Sequence, residues 1–64
     1  MPIIRIEMLE GRPPAVKTEL IRRVTDAVVE TLKVAPEQVR VLLYELPPQH
    51  WGVGGKTKAE TEKS

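Results

Sequence analysis

The segment PAVKTELIRRVTDAVVETLK at residues 14–33, set between PIIRIEML (2–9) and VRVLLYEL (39–46), decides the fold. Val16, Leu20, Val24, Ala27, Val28 and Leu32 recur at three-to-four spacing, which is one face of a helix. Lys17, Arg22, Arg23, Asp26, Glu30 and Lys33 fall on the opposite side. The pattern predicts an amphipathic helix of roughly 19 residues. It starts near Pro14, because proline suits a first helical turn and the residue before a proline avoids the helical region. Pro36 is the expected stop.

The flanking runs alternate with the period of a strand. Ile4, Ile6 and Met8 point one way; Ile3, Arg5, Glu7 and Leu9 point the other. In the second run Val39, Val41 and Leu43 share one face, and Arg40, Leu42, Tyr44 and Leu46 the other. Strand, helix, strand is an α/β arrangement: a β-α-β unit with parallel strands and a right-handed connection. Pro47-Pro48 closes it, and HWGVGG (50–55) reads as a turn or short hairpin. The chain is one domain, residues 1–64. Its polar segment from 56 to 64 shows no pattern and is expected to be mobile or to lie on a neighbour.

Sixty-four residues bury only about 60% of their unfolded surface, so the core is marginal without a staple. There is no cysteine and one histidine, His50, which excludes disulfides and any Cys- or His-dominated metal site within one chain. The net charge of +1, with no block of like charges, argues against a nucleic-acid partner. No apolar run is long enough for a membrane span or a signal peptide, so the expected location is cytoplasmic. One helix covers one face of a two-stranded sheet. The other face keeps Ile3, Leu9, Leu42, Tyr44 and Leu46, an apolar patch that predicts a homo-oligomer with pockets between subunits.

Chemistry has few places to reside. Trimming of Met1 would leave Pro2 with a free secondary amine, and α-amines titrate near neutrality, at about 7.7–8.0. Burial and a nearby cation would favour the neutral form, able to act as a base. Met-Pro is also an ordinary chain start. Arg40, inside an apolar strand, is either a fork for a carboxylate or half of an intersubunit ion pair with Glu7 or Glu45. Arg12 has the same two readings: carboxylate fork or solvated ion. Trp51, the only tryptophan, is a pocket wall or an interface anchor. His50 carries no assignment. Gly52 to Gly55 lacks the strand-before, helix-after context of a phosphate loop.

Taken together, PIIRIEMLEGR (2–12), the Arg40-Val41 pair after the helix and HWGVGG (50–55) resemble the 4-oxalocrotonate tautomerase family over about residues 2–55. The resemblance implies a β-α-β unit with a short C-terminal hairpin, assembled as a hexamer, a trimer of dimers. It implies a cofactor-independent isomerase, with no metal, acting on a small unsaturated keto or hydroxy acid, typically a dicarboxylate. Pro2 matches the family's general base. Arg12 matches the arginine that binds the distal carboxylate. Arg40 matches one that reaches from another subunit to the 2-oxygen and its carboxylate. Leu9 matches an apolar pocket position, and Trp51 stands where the family usually has phenylalanine. The expected reaction converts a 2-hydroxydienoate such as 2-hydroxymuconate to its conjugated 2-oxo isomer, a step of aromatic hydrocarbon catabolism. Two alternatives remain: hydration or dehalogenation of unsaturated acids by a protonated Pro2, with Glu7 or Glu10 activating water, and a non-catalytic oligomeric binding subunit.

Overall fold

The computed structural model describes residues 1–61. Strands β1 (Ile3–Leu9) and β2 (Arg40–Leu46) flank helix α1 (Pro14–Leu32); β3 (Gly52–Val53), β4 (Lys56–Thr57) and a short helix α2 (Lys58–Thr61) follow. β1 and β2 pair in parallel, from Ile3 opposite Arg40 to Leu9 opposite Leu46. Parallel neighbours need a long crossover, and α1 is that crossover. β3 and β4 pair antiparallel. Gly54 and Gly55, at φ +62° and +87°, form the two-residue turn between them, a conformation that residues with a Cβ resist.

Proline opens the helix and lysine closes it. Pro13 is extended, and its carbonyl accepts the N–H groups of Val16 and Lys17 at 3.1 and 3.3 Å. At the other end Lys33 adopts the left-handed conformation (φ 60°), and its N–H donates to the Val29 carbonyl at 2.9 Å. The helix therefore has the start and the roughly 19-residue length expected from the sequence. Pro36 opens a 3-10 turn, Pro36–Gln38, that aims the chain into β2.

Ile4, Ile6, Met8, Val41 and Leu43 are half-buried on one side of the sheet, and Leu20, Val24 and Val28 are half-buried on the helix. Two expectations for the helix faces change. Val16 and Leu32 remain 49% and 55% exposed. A 19-residue helix is about 28 Å long, whereas seven strand residues span about 23 Å, so the helix is longer than the strands it packs on. Lys17, expected on the outer face, instead pairs with Glu45 of β2 at 3.0 Å. Its long stem lets the ammonium reach the sheet from the edge of the buried stripe.

The expected unpatterned tail begins with ordered elements. Thr57 and Glu60 cap each other: the Thr57 N–H donates to Glu60 Oε1 at 2.8 Å, and the Glu60 N–H to Thr57 Oγ1 at 3.2 Å. Residues 62–64 of that tail lie outside the described residues.

Val39, 9% exposed, is the only buried apolar residue among those described. The chain measures 43 × 24 × 14 Å with a radius of gyration of 15.0 Å, against about 11 Å for a compact chain of this length. Its accessible surface is 5029 Å², where about 4100 Å² is usual for a folded monomer of this mass. It is a plate one helix and one sheet thick. Ile3, Leu42 and Tyr44 stand 63%, 39% and 44% exposed, the first two apolar side chains lying on the helix-free face as expected. No helix among the described residues is long and apolar enough to cross a membrane.

Candidate active site

The candidate residues sort to the two ends of the sheet. At the N-terminal end, the Arg40 N–H donates to the Pro2 carbonyl at 3.0 Å, extending the parallel ladder one step before β1. Pro2 is half-buried there. The Arg40 guanidinium donates through Nη1 to the Glu37 carbonyl at 2.6 Å. That carbonyl is offered by the 3-10 turn, which is closed by Gln38 N–H to the Ala35 carbonyl (3.0 Å) and by Ala35 N–H to Gln38 Oε1 (3.1 Å).

At the other end, the Glu10 N–H donates to the Leu46 carbonyl at 3.0 Å, and the chain then turns so that Arg12 Nη1 donates to the Leu9 carbonyl at 3.2 Å. Leu9 and Trp51 are both half-buried. A 3-10 turn, Pro48–His50, folds the chain back, with the Trp51 N–H on the Pro48 carbonyl at 3.3 Å. The Trp51 carbonyl accepts the Lys58 N–H at 2.7 Å, so α2 holds the tryptophan backbone from behind. A cavity of about 270 Å³ opens here, lined by Glu7, Leu46, His50, Trp51 and Gly52. It sits at the C-terminal ends of two parallel strands, where α/β sheets commonly bind ligands.

Of the residues matched to the family's catalytic and binding positions, only Trp51 lines this cavity. Pro2 and Arg40 are brought together; Pro2 and Arg12 are not, because β1 lies between them and spans about 23 Å. A small acid touching both Pro2 and Arg12 must therefore use residues from more than one chain. Sequence reasoning did not assign Leu46 or Gly52 to a pocket, and it weighed Glu7 only as an ion-pair partner or water activator. The strand alternation that puts Glu7 on the helix-free face was the available signal. Nothing local in the sequence shows that residues 48–52 fold back over that face.

The five arginines divide by what they hold. Arg22 pairs with Glu19 and with Asp26 (3.2 Å), and Arg23 with Glu19 (2.6 Å), all on exposed helix surface. Hydrogen bonds from Arg22 and then Arg23 hold the Glu19 carboxyl below its ordinary range, and Glu19 in turn raises Arg22. Arg5 lies over the Tyr44 ring, 5.2 Å from its centroid. Arg12 and Arg40 differ from these three. Each donates once to a backbone carbonyl and, among the described residues, meets no carboxylate. Glu45, one expected partner of Arg40, is taken by Lys17. Two forks thus keep most of their donors available to an anion. The described residues contain no group of three or more His, Cys, Asp or Glu side chains placed to hold a metal.

The profile of the tautomerase enzyme family matches residues 2–61, from the proline through the end of α2. The chain belongs to the tautomerase family. It is 38% identical over 63 residues to the 2-hydroxymuconate tautomerase of a Pseudomonas species (strain CF600), covering 98% of this chain and all of that one. In structure this tautomerase resembles TomN, a 4-oxalocrotonate tautomerase homologue in the tomaymycin biosynthetic pathway. The TM-score is 0.94 at 44% identity, with 98% of this chain and 97% of that one covered. It also resembles a heterohexamer 4-oxalocrotonate tautomerase from Chloroflexus aurantiacus, with a TM-score of 0.88 at 43% identity and coverage of 94% and 97%. The β-α-β unit with its small C-terminal hairpin is thus the tautomerase fold, and this tautomerase is an isomerase of that family.

Proposed function

We propose that the protein is a cofactor-independent tautomerase that uses Pro2, freed by removal of Met1, as its general base. Its substrate is a 2-hydroxydienoate like 2-hydroxymuconate. The observation that carries this reading is the pair of uncommitted guanidinium forks, Arg12 and Arg40, in a chain whose other arginines are occupied. The Pro2 amine takes the proton of the 2-hydroxyl. The oxygen lone pair becomes the C2=O bond, the C2=C3 pair shifts to C3=C4, and the C4=C5 pair takes the proton back at C5. Arg40 binds the 2-oxygen and its neighbouring carboxylate, where negative charge begins. Arg12 binds the distal carboxylate, toward which that charge moves. Leu9 and Trp51 form apolar walls that exclude water and favour the neutral amine.

The site is shared between subunits of a homo-oligomer. A two-fold pairing lays the N-terminal end of one plate beside the C-terminal end of the next, carrying Pro2 of one chain toward Arg12 and Trp51 of another. Three such pairs close a hexamer and cover the helix-free faces. The test is the enol-to-keto absorbance change of 2-hydroxymuconate with mass-checked, Met1-free protein, with Pro2→Ala alongside. Fast turnover lost in the variant supports the reading; turnover that survives it removes Pro2 from the mechanism.

A further inference from the structure

The outer edge of β1 carries a pattern that the isolated chain does not use. The sheet has the order β1-β2, so β1 is paired on one side only. The Pro2 carbonyl and the Glu10 N–H both bond to β2, which turns the even-numbered residues toward that strand. The N–H and C=O groups of Ile3, Arg5, Glu7 and Leu9 therefore point outward, where the Leu9 carbonyl accepts from Arg12 Nη1. Such an edge is a template for another strand.

In an antiparallel pair of identical strands, residues that face each other across the edge exchange hydrogen bonds, so odd positions must meet odd positions. Registers that set the middle of β1 against itself centre on Arg5, Ile6 or Glu7. Centring on Arg5 opposes it to the partner's Arg5, and centring on Glu7 opposes it to the partner's Glu7; both juxtapose like charges. Centring on Ile6 sets Arg5 against the partner's Glu7, Glu7 against the partner's Arg5, and Ile3 against the partner's Leu9. That register also engages every outward residue of β1. Among the described residues Arg5 and Glu7 have no ion-pair partner, and Arg5 lies over the Tyr44 ring, which stands opposite Glu7. The outer edge of β2 offers no such match. Centred on Leu43, it opposes Glu45, already held by Lys17, to the partner's Val41.

We infer that Arg5 and Glu7 are the residues by which β1 recognises a second copy of this chain, through reciprocal ion pairs about a two-fold axis at Ile6. This deepens the shared-site reading above and rests on its two-fold pairing. The same register places Pro2 opposite the partner's Glu10, close in sequence to the partner's Arg12, so the contact brings the base toward the distal-carboxylate fork. With Glu7 matched to the partner's Arg5, Arg40 stays available to an anion.

The test exchanges these charges in the full chain and reads assembly by sedimentation velocity and native mass spectrometry. R5E alone and E7R alone set like charges against each other, so each should raise the dimer dissociation constant roughly tenfold or more. An R5E chain presents carboxylates at both positions, and an E7R chain presents guanidinium groups at both. Refolded together, they should form oligomers of wild-type size with equal numbers of the two chains. The R5E/E7R chain restores the pairs with their signs reversed and should assemble alone. Single variants that assemble like wild type, a mixture that stays dissociated or combines at random, or a double variant that fails to assemble would each overturn the inference. The readout needs no turnover. Pro2→Ala should assemble normally, so failure of the proline mechanism and failure of this pairing are told apart.

Discussion

The Arg40 N–H donates to the Pro2 carbonyl at 3.0 Å, so the residue expected to supply the base and one expected to bind the anion are adjacent rungs of one ladder. The strand pairing fixes both backbones, and only the Arg40 side chain is free to choose a partner. In the isolated chain it chooses the Glu37 carbonyl. A single neutral acceptor is a weak competitor for a carboxylate, which takes two charge-assisted hydrogen bonds from the same fork. Arg40→Ala is expected to lower kcat/KM for 2-hydroxymuconate by roughly 10²-fold, the usual effect of deleting one donor to a developing oxyanion. Arg40→Lys should recover little of this, because an ammonium cannot form the parallel pair. Initial rates over a substrate series check both.

The pH profile gives the sign of the proline's role. A base must be unprotonated, so kcat/KM should rise with pH and level off above the pKa of the Pro2 amine. Were Pro2 an acid, as in hydration of an unsaturated acid, activity would fall across the same interval. Intact mass is the companion measurement. Protein that retains Met1 has an amide in place of that amine and should be inactive.

Assembly should be inseparable from folding. With only Val39 buried among the described residues of the lone chain, a stable monomer has too little core to offset its chain entropy. Leu42→Asp places a charge on the helix-free face, where burial without a partner costs several kcal/mol. Sedimentation velocity should then show loss of the oligomer, and circular dichroism should show loss of helix with it. A well-folded monomeric variant would contradict this.

The Thr57–Glu60 capping box braces Trp51 through the Lys58 N–H. Thr57→Ala removes one side of the cap and should cost about 1 kcal/mol of stability. Emission of Trp51 should shift to longer wavelength as its backbone support loosens, with KM rising more than kcat falls. An unchanged spectrum would mean that α2 does not hold the wall.

Glu19 offers a check remote from chemistry. Its folded carboxyl titrates below the ordinary range because Arg22 and Arg23 donate to it. A depressed folded pKa stabilises the native state above the unfolded pKa and loses that stabilisation as pH falls through the folded value. The Tm difference between wild type and Glu19→Gln should therefore be small, largest near neutrality, and absent at strongly acid pH. Added salt should shrink it, since all three side chains are exposed.

Most of the fold could be read along the chain because it depends on local pattern. The period of residues 14–32 determined α1, the alternation of 2–9 and 39–46 determined two strands, and paired glycines at 54 and 55 determined the hairpin. The extent of the helix was legible in that period, whereas the lysine at φ 60° that closes it was not. Lys17 was put on the wrong face because stem length, not helical angle alone, decides what an ammonium reaches. Pro2, Arg12, Arg40 and Trp51 could each be named as candidates from type and position, and Leu9 from the family resemblance.

What the sequence determined by itself was the set of elements and the insufficiency of one chain, since counting apolar residues against faces already leaves a sheet side uncovered. The tertiary structure decided which candidates meet. Pairing β1 with β2 put Pro2 beside Arg40, and the length of β1 kept both away from Arg12 and Trp51. The fold-back of residues 48–52, held by backbone hydrogen bonds to Pro48 and Lys58, brought Glu7, Leu46 and His50 around one cavity. These neighbours include Glu7, about forty positions from the others in the chain. Their meeting is set by strand register and turn geometry, which no local period encodes.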